Sequence, residues 1–458
     1  MPRTTSARFR NQAQLTDHGE TDLRQLALDL AEAGLAALSP GAGLARKVSL
    51  EGEELAIGGR RYLLSDYRRI IILGAGKASA DLALGVEQLL GRWIAGGVVV
   101  VPRSTEVSSD RITFIEADHP LPTSDSVRGA RSILESGREL TSRDLAICIF
   151  TGGSSALASL PPDGVSPRDK RELHRLLLSS GMSIVDVNTV RKHVSAFKGG
   201  RLAAAIAPAE ILNLTVSDVV GDPLDCITDP TVQDSSTVSD AISVLEEFAL
   251  LDRVPESVRH HLLASENAES PDLSTVDIES VIVTRGQDGI AAVMTAARAL
   301  GFNAISLGSR LEGEASTLGR VLATLAQHSA VDGTPWSRRS ILVGCGGEST
   351  VTLDSRAERH FGLGGPNQEA AIGAALALSQ CPGLVGLFLD TDGSDGGTQV
   401  AGGLVDWATT LRAQAHGIRL REVLVGHDST QALQSLGDAI VTGPTQTNAN
   451  DLVLILIG

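Results

Sequence analysis

"RIIILGAGKASADLALGVEQLLG", residues 69–91, sets a β-rich apolar run against a glycine turn and a helix-period stretch. It reads as strand, tight turn and helix, the opening unit of an open α/β sheet. The same grammar recurs on either side. "GGVVVV" (96–101) follows, and "LAICIF" (145–150) leads through "TGGSSAL" (151–157) towards the helical "SPRDKRELHRLLLSSG" (166–181). "ILNLTV" (211–216) precedes a loop to residue 237, and "SVIVT" (280–284) precedes "GIAAVMTAARALG". "ILVG" (341–344), "LVGLFL" (384–389) and "LVLILI" (452–457) close the series. Short apolar runs alternating with helical segments predict an α/β fold of parallel sheets covered by helices on both faces. The polar stretches 264–277 and 330–340, broken by Pro or Gly, mark the region of a domain change.

The 458 residues are 42% hydrophobic and 21% charged, enough for two packed cores. With 39 basic against 55 acidic residues the net charge is −16, which argues against nucleic-acid or anionic-membrane partners. No apolar run approaches the ~20 residues of a bilayer span. The opening "MPRTTSARFRNQAQLTDHGE" has no apolar h-region and reads as a disordered arm over 1–20 rather than a secretory signal. Cys148, Cys226, Cys345 and Cys381 show no metal or disulfide spacing, so a reducing cytoplasm is expected.

In open α/β sheets ligands gather beyond the carboxyl ends of the strands. "GAGKAS" (74–79) has the first two glycines of a dinucleotide fingerprint, Gly74 and Gly76, but Ser79 holds the third place. The next strand ends in Pro102-Arg103, with no acid for a ribose hydroxyl. Lys77 is placed in the first turn of the following helix, against the dipole, which points to a bound anion. In "TGGSSAL", two glycines let backbone N–H groups approach an oxyanion, and Ser154 and Ser155 can donate to it or cap a second helix. "NTVRKHVSAFKGGRL" (188–202) gathers Arg191, Lys192, His193, Lys198 and Arg201 in an acidic chain. On a helix Arg191, Ser195 and Lys198 would share one face. "SDVVGDPLDCITDP" (217–230), with Asp218, Asp222, Asp225 and Asp229, and "DTDGSDGG" (390–397), with Asp390, Asp392 and Asp395, suit Mg²⁺ held through one or two carboxylates. Anion-binding turns, clustered cations and acidic loops are the parts that phosphoryl transfer to a small anionic acceptor needs.

These segments, with "ADHPLPTSDSVRGA" (117–130), "LEGEAS" (311–316), "GGEST" (346–350), "GGPNQEAAIGAALAL" (364–378) and "TGPTQTNANDL" (442–452), resemble in order the glycerate 2-kinase family of the MOFRL type. Members are also called class II glycerate kinases or hydroxypyruvate reductases. The resemblance covers 25–457. It implies a larger Rossmann-like doubly wound domain over 21–270 and a C-terminal region, 271–458, containing a smaller α/β MOFRL-type domain near 336–455. It implies ATP- and Mg²⁺-dependent phosphorylation of D-glycerate to 2-phosphoglycerate in a cleft between the domains. Lys77 matches the family's catalytic lysine. With it go Asp218 as base or metal ligand, and Ser154, Ser155, Arg191 and Lys198 for the acceptor. Gly74, Gly76, Glu348, Asn367, Glu369 and Asn448 are expected at the nucleotide, and Asp392 and Asp395 at the metal.

Three positions depart from the family pattern. Pro366 stands where the family has a catalytic arginine, and Arg356, Arg359 and His360 are the nearby candidates to replace it. Thr228-Asp229-Pro230-Thr231 stands for Ser-Gly-Pro-Thr, and Thr123 ends a segment that otherwise closes in Asp. The alternatives are a kinase for a four-carbon sugar acid, an NAD(P)H-dependent reductase, and an inactive ligand-binding relative. A homodimer is left open.

Overall fold

The structure, a computed structural model, describes residues 8–264, 269–353 and 361–458. Chain contacts divide it into two units. One comprises Pro40–Ser217 and Asp222–Val283, the other Met1–Ser39, Asp218–Gly221 and Thr284–Gly458.

In the first unit six strands lie in the order Ile112–Ala117, Ile94–Pro102, Arg69–Ala75, Asp144–Phe150, Glu210–Val216, Ile278–Thr284. The pairings among the first five are parallel. Numbered along the chain this is 3-2-1-4-5-6, the doubly wound order, whose direction of winding reverses between Arg69–Ala75 and Asp144–Phe150. Both faces are covered. Ile72 and Ile147 enter one core with Leu82 and Val86, while their neighbours Leu73 and Cys148 enter another with Ile133 and Ile211. Burial on both faces explains why these strands read as continuous apolar runs. The helices Pro167–Leu178, Ile184–His193, Val238–Glu247 and Glu256–Ala264 form a separate core around Leu173, Val190 and Leu245.

A three-stranded antiparallel sheet, Val48–Glu51, Glu54–Ile57 and Arg60–Leu63, precedes the parallel one. Its second hairpin closes on Gly58 and Gly59, both at positive φ, as a two-residue hairpin loop with the strands' own twist requires. The signal, two runs about a Gly-Gly pair in "ELAIGGRRYL", lies in the sequence.

The second unit holds a mixed sheet, in the order Asn303–Gly308, Ser340–Thr350, Asp451–Ile457, Leu384–Asp390, Gly402–Asp406, Ala439–Ile440. Asn303–Gly308 and the short Glu312–Glu314 run parallel to Ser340–Thr350, and the remaining pairs are antiparallel. The expectation of parallel sheets throughout therefore fails here. The run "LVLILI" reports burial on both faces, which a central antiparallel strand shares with a parallel one.

The N-terminal expectation also changes. Among the described residues, Phe9 and Leu15 are buried, and Asn11 donates to the carbonyl of Ala439 (2.8 Å) and accepts from the N–H of Val441 (3.1 Å). Residues 8–20 are thus packed rather than a loose arm. The helix Thr21–Leu38 sinks Leu28, Ala31, Leu35 and Leu38 into the core of the second unit with Val293, Leu387 and Leu454. Residues 21–39 accordingly group with the C-terminal half, and the later division falls at Val283/Thr284 rather than at 270. The sequence shows that this helix has an apolar face but not which sheet the face meets.

Candidate active site

The first unit's winding reversal brings "GAGKAS" and "TGGSSAL" side by side. The N–H of Thr151 donates to the carbonyl of Ala75 (3.1 Å), and the N–H of Lys77 to that of Gly152 (2.8 Å). Thr151 Oγ1 accepts from the N–H of Ala78 (3.2 Å), and the N–H of Gly76 reaches the carbonyl of Val100 (3.1 Å). The following helix, Ser79–Leu90, starts two residues beyond Lys77. Lys77 is therefore in the turn before the helix and not in its first turn, because its N–H and that of Ala78 are drawn across to the neighbouring loop.

The glycines of this turn serve the same lacing. A Cβ on Gly74 would stand 2.4 Å from the Ile149 carbonyl oxygen, and one on Gly76 2.1 Å from Thr151 Oγ1. The open faces that a dinucleotide site would give to pyrophosphate are filled by the chain itself, and the N–H groups of Gly76, Lys77 and Ala78 are spent. Gly74 and Gly76 thus pack the loops together rather than cradle a phosphate.

In "TGGSSAL" the helix is only the single turn Ser154–Leu157, so little macrodipole stands behind it. Its anion-binding capacity rests instead on Gly153, whose φ of +83° turns the backbone into a nest-like bend. The N–H groups of Gly153 and Ser155 enter no hydrogen bond among the described residues. A Cβ on Gly153 would lie 3.3 Å from Lys77 Cγ and 3.1 Å from His119 Cδ2, which places the Lys77 stem and the His119 ring over this glycine. Ser154 and Ser155 are half-buried beside it.

The basic segment is not a single helix face. The helix Ile184–His193 ends before Ser195, and Lys198 lies in the glycine turn beyond. Burial and a carboxylate gather the cations instead. Lys198, 2% exposed, donates to Ser155 Oγ and pairs with Asp229 Oδ2 at 2.5 Å. Arg191, 7% exposed, has no hydrogen-bond partner for Nε, and Asp229 none for Oδ1, among the described residues. Burial pushes Arg191 down to about 10 against the pull of Asp229. Burial likewise lowers Lys198 from the usual lysine range, although Asp229 opposes it. Lys170 is buried too, its Nζ donating to the carbonyls of Arg191 (3.4 Å) and Val194, and desolvation, then Lys198 and Arg191, hold it well below its ordinary value. Lys192 is taken by Asp234 (2.6 Å) and Asp225 (3.3 Å). Lys170, Arg191 and Lys198 are thus left with Asp229 as their close carboxylate.

Two of these residues carry roles that sequence reading missed. Asp229, read from sequence as a carboxylate of a Mg²⁺-type loop and as a departure from the family pattern, is the buried counter-ion of Lys198. Lys170 was legible, since Lys170, Leu173, His174 and Leu177 fall at i, i+3, i+4, i+7 and so put a lysine on the apolar face of its helix.

Asp218 follows the strand Glu210–Val216, yet its contacts group 218–221 with the second unit, not with the unit carrying Lys77. Asp218 Oδ2 accepts from Asn448 Nδ2 at 3.1 Å, joining a residue expected to be catalytic to one expected at the nucleotide.

The acidic loop 390–397 divides into unlike carboxylates. Asp395, 1% exposed, accepts from the N–H groups of Asn367 (3.1 Å) and Gln368 (3.0 Å) and from Gln368 Nε2 (3.0 Å). It closes the N-terminus of the helix Pro366–Leu378 and has both oxygens engaged there, which does not suit a metal ligand. Burial still raises it to about 6 against those donors. Asp392 is half-buried, with Oδ1 accepting from the N–H of Ser394 (2.9 Å). Beside it Asp390 is pushed well up by burial and by the Asp392 and Asp451 charges, a crowding of carboxylates that a divalent cation would relieve. Asp392 therefore fits Mg²⁺ of the kind that shares one or two carboxylates with nucleotide phosphates.

The remaining expected nucleotide residues differ in access. Asn367, buried, is spent on Asp451 (2.6 Å), and Glu369, buried, on His427 (2.7 Å). Glu348 is exposed at the end of Ser340–Thr350, and Asn448 is half-buried. Pro366 is the first residue of its helix, where a missing N–H costs nothing. Arg356, Arg359 and His360 lie outside the described residues.

Residues 26–263 match the family described as a domain of unknown function (DUF4147), and residues 341–451 match the MOFRL family. Glycerate 2-kinase of Pyrococcus horikoshii is 35% identical over 95% of this chain and 98% of its own. A protein of Agrobacterium vitis, named provisionally as hydroxypyruvate reductase, is 38% identical over 85% of this chain and 87% of its own. The crystal structure of glycerate kinase from Thermotoga maritima superposes with a TM-score of 0.81 at 34% identity, covering 95% of this chain and all of that one. A doubly wound sheet with the lysine turn at its winding reversal, a second α/β unit with the MOFRL match, and identity sustained along nearly the whole length agree: the chain belongs to the glycerate 2-kinase family of the MOFRL type, a family of kinases.

Proposed function

We propose that the protein transfers the terminal phosphoryl group of ATP to the 2-hydroxyl of D-glycerate, giving 2-phosphoglycerate. The observation that carries this reading is the unfilled demand for an anion at the winding reversal. There the N–H groups of Gly153 and Ser155 enter no hydrogen bond among the described residues, the Lys77 stem lies over Gly153, and the buried Arg191 and Lys198 have Asp229 as their close carboxylate. The acceptor carboxylate is held by the Gly153–Ser155 turn and Arg191, with Lys198 keeping Ser155 in place. Lys77 neutralises charge on the transferred group, since fixed charge where negative charge develops is the main catalytic resource in this chemistry. Asp218, oriented by Asn448, takes the hydroxyl proton. Asp392 would hold Mg²⁺, which would supply charge shielding for the nucleotide phosphates. Glu348 and Asn448 are the nucleotide contacts best placed by exposure.

The reductase reading loses support at Gly76, whose open face is occupied by Thr151. A different acid, such as a four-carbon sugar acid, remains the second reading, because Asp229 alters the charge around the acceptor cations. A coupled ADP-release screen over small hydroxy acids tests both, with D-glycerate expected to give the highest kcat/KM. Mg²⁺ titrations then separate the carboxylates. High Mg²⁺ should rescue Asp392→Asn but not Asp218→Asn, which should keep a rate deficit of ~10²–10⁴. Nicotinamide consumption without ADP release would overturn the proposal.

A further inference from the structure

A cavity of about 540 Å³ lies in the first unit, lined among others by Arg103, Thr123, Ser159, Arg168, Lys170 and Arg171. It is separate from the Gly153–Ser155 turn, and the activity proposed above does not use it. Three observations bear on what it holds.

The first is charge. Arg168 and Arg171 lie within the first turn and a half of the helix Pro167–Leu178, a twelve-residue helix whose dipole already favours an anion at this end, while Lys170 turns inward to the carbonyls of Arg191 and Val194. Cations crowded there repel the helix field and one another unless a negative group joins them. The carboxylates lining the cavity, Asp118 and Asp125, are bonded to arginines outside this helix, although the Asp118 charge also acts on Arg171. Asp118 takes both Nε (2.8 Å) and an Nη (3.1 Å) of Arg103, and Asp125 takes Arg103 (2.9 Å) and Arg128 (3.0 Å). Arg168 has no ion-pair partner among the described residues.

The second is an orphaned polar atom. Ser159 is 2% exposed, and its Oγ finds no hydrogen-bond partner in the protein. A buried hydroxyl left unpaired costs about 1–3 kcal/mol, a cost that a ligand accepting from it would relieve. The third is the wall. Pro122, Val127, Pro161 and Pro167 give the cavity an apolar side, room for a short carbon skeleton behind a charged head.

We propose that this cavity is a second anion site, which takes a small phosphate-bearing molecule. Its phosphate accepts from Ser159 Oγ and sits against Arg168 and Arg171 at the helix start, while its carbon chain lies on the proline wall. The inference stands without the kinase assignment, since it concerns binding alone.

Inorganic phosphate is the minimal probe, titrated calorimetrically into the full-length protein in a buffer free of other anions. Ser159→Ala and Arg171→Gln should each weaken phosphate binding about tenfold, the loss expected for one charge-assisted hydrogen bond or ion contact. Both should leave turnover unchanged when phosphate is omitted. Arg171 is exposed, so its variant keeps the test open if Ser159→Ala folds poorly. A phosphorylated three-carbon acid should bind more tightly than phosphate and show the same dependence on both residues. The inference is overturned if the wild type takes up no phosphate. It is also overturned if both variants bind as the wild type does, or if Arg191→Ala alone abolishes binding, which would put the phosphate at the acceptor cations.

Discussion

Lys77 owes its position to backbone bonds that tie its turn to the neighbouring loop, not to the helix that follows it. That makes its side chain an appendage on a rigid crossing of two strands, which is where a charge must be fixed if it is to act on a transition state. Lys77→Ala should therefore lower kcat by ~10²–10³ with little change in melting temperature, because the residue is half-buried and the lacing runs through its main chain. Turnover measured beside a thermal melt checks this, and near-normal turnover would remove Lys77 from the chemistry. Such a charge is legible in sequence from its place beside a glycine turn. The buried pair Lys198–Asp229 is not, since thirty residues and a turn of chain separate partners that only the folded loops bring to 2.5 Å.

At the scale of elements, the helix Pro366–Leu378 shows how one carboxylate can hold an end that its own N-cap, Gly365, cannot. Gly365 has no side chain to offer the first N–H groups, and Asp395 reaches them from the adjacent loop. Asp395→Ala should cost about 1–3 kcal/mol, read as a lower denaturant midpoint, and leave the Mg²⁺ requirement of the remaining activity unchanged. A shifted Mg²⁺ requirement with unaltered stability would make Asp395 a metal ligand instead. The sequence "DTDGSDGG" announces a carboxylate-rich turn. It does not say which carboxylate turns inward to a helix and which outward, because that depends on the helix that arrives beside it.

For the whole molecule, the N-terminal helix is fastened to the second unit by buried charge. Arg24, fully buried, pairs with Asp406 (2.9 Å) and Asp438 (2.6 Å), and Arg412 and His18 also reach Asp438. Burial alone would raise Asp438, but His18, Arg24 and Arg412 outweigh it and hold it below the usual carboxylate range. A depressed folded pKa gives stability that is full above the unfolded value, ~3.9, and is lost as pH falls through the folded value. Arg24→Met should cost about 3–5 kcal/mol at neutral pH, because it takes a buried cation away from two buried carboxylates. It should also flatten the acid limb of the stability curve, since protonating Asp438 then relieves a penalty rather than breaking a pair. Chemical denaturation from pH 7 down to pH 3 measures both effects, and parallel curves for wild type and variant would deny the network its role.

The sequence by itself determined the doubly wound sheet, the glycine turns at its carboxyl end and the family, because these follow from local periodicity and from ordered motifs. The strand runs 69–75, 94–102, 144–150 and 210–216 are apolar on both faces, and such runs alternating with helices admit few topologies. Only the tertiary structure decided that the last strand, Asp451–Ile457, enters the second sheet antiparallel between Ser340–Thr350 and Leu384–Asp390. Only it showed that residues 21–39 close the core of the C-terminal unit, and that Gly76, Asp395 and Asn367 spend their polar or open faces on the protein. The reason is common to all of these. An apolar face, a glycine or a carboxylate states in sequence what kind of neighbour it requires, and long-range packing chooses which neighbour it gets.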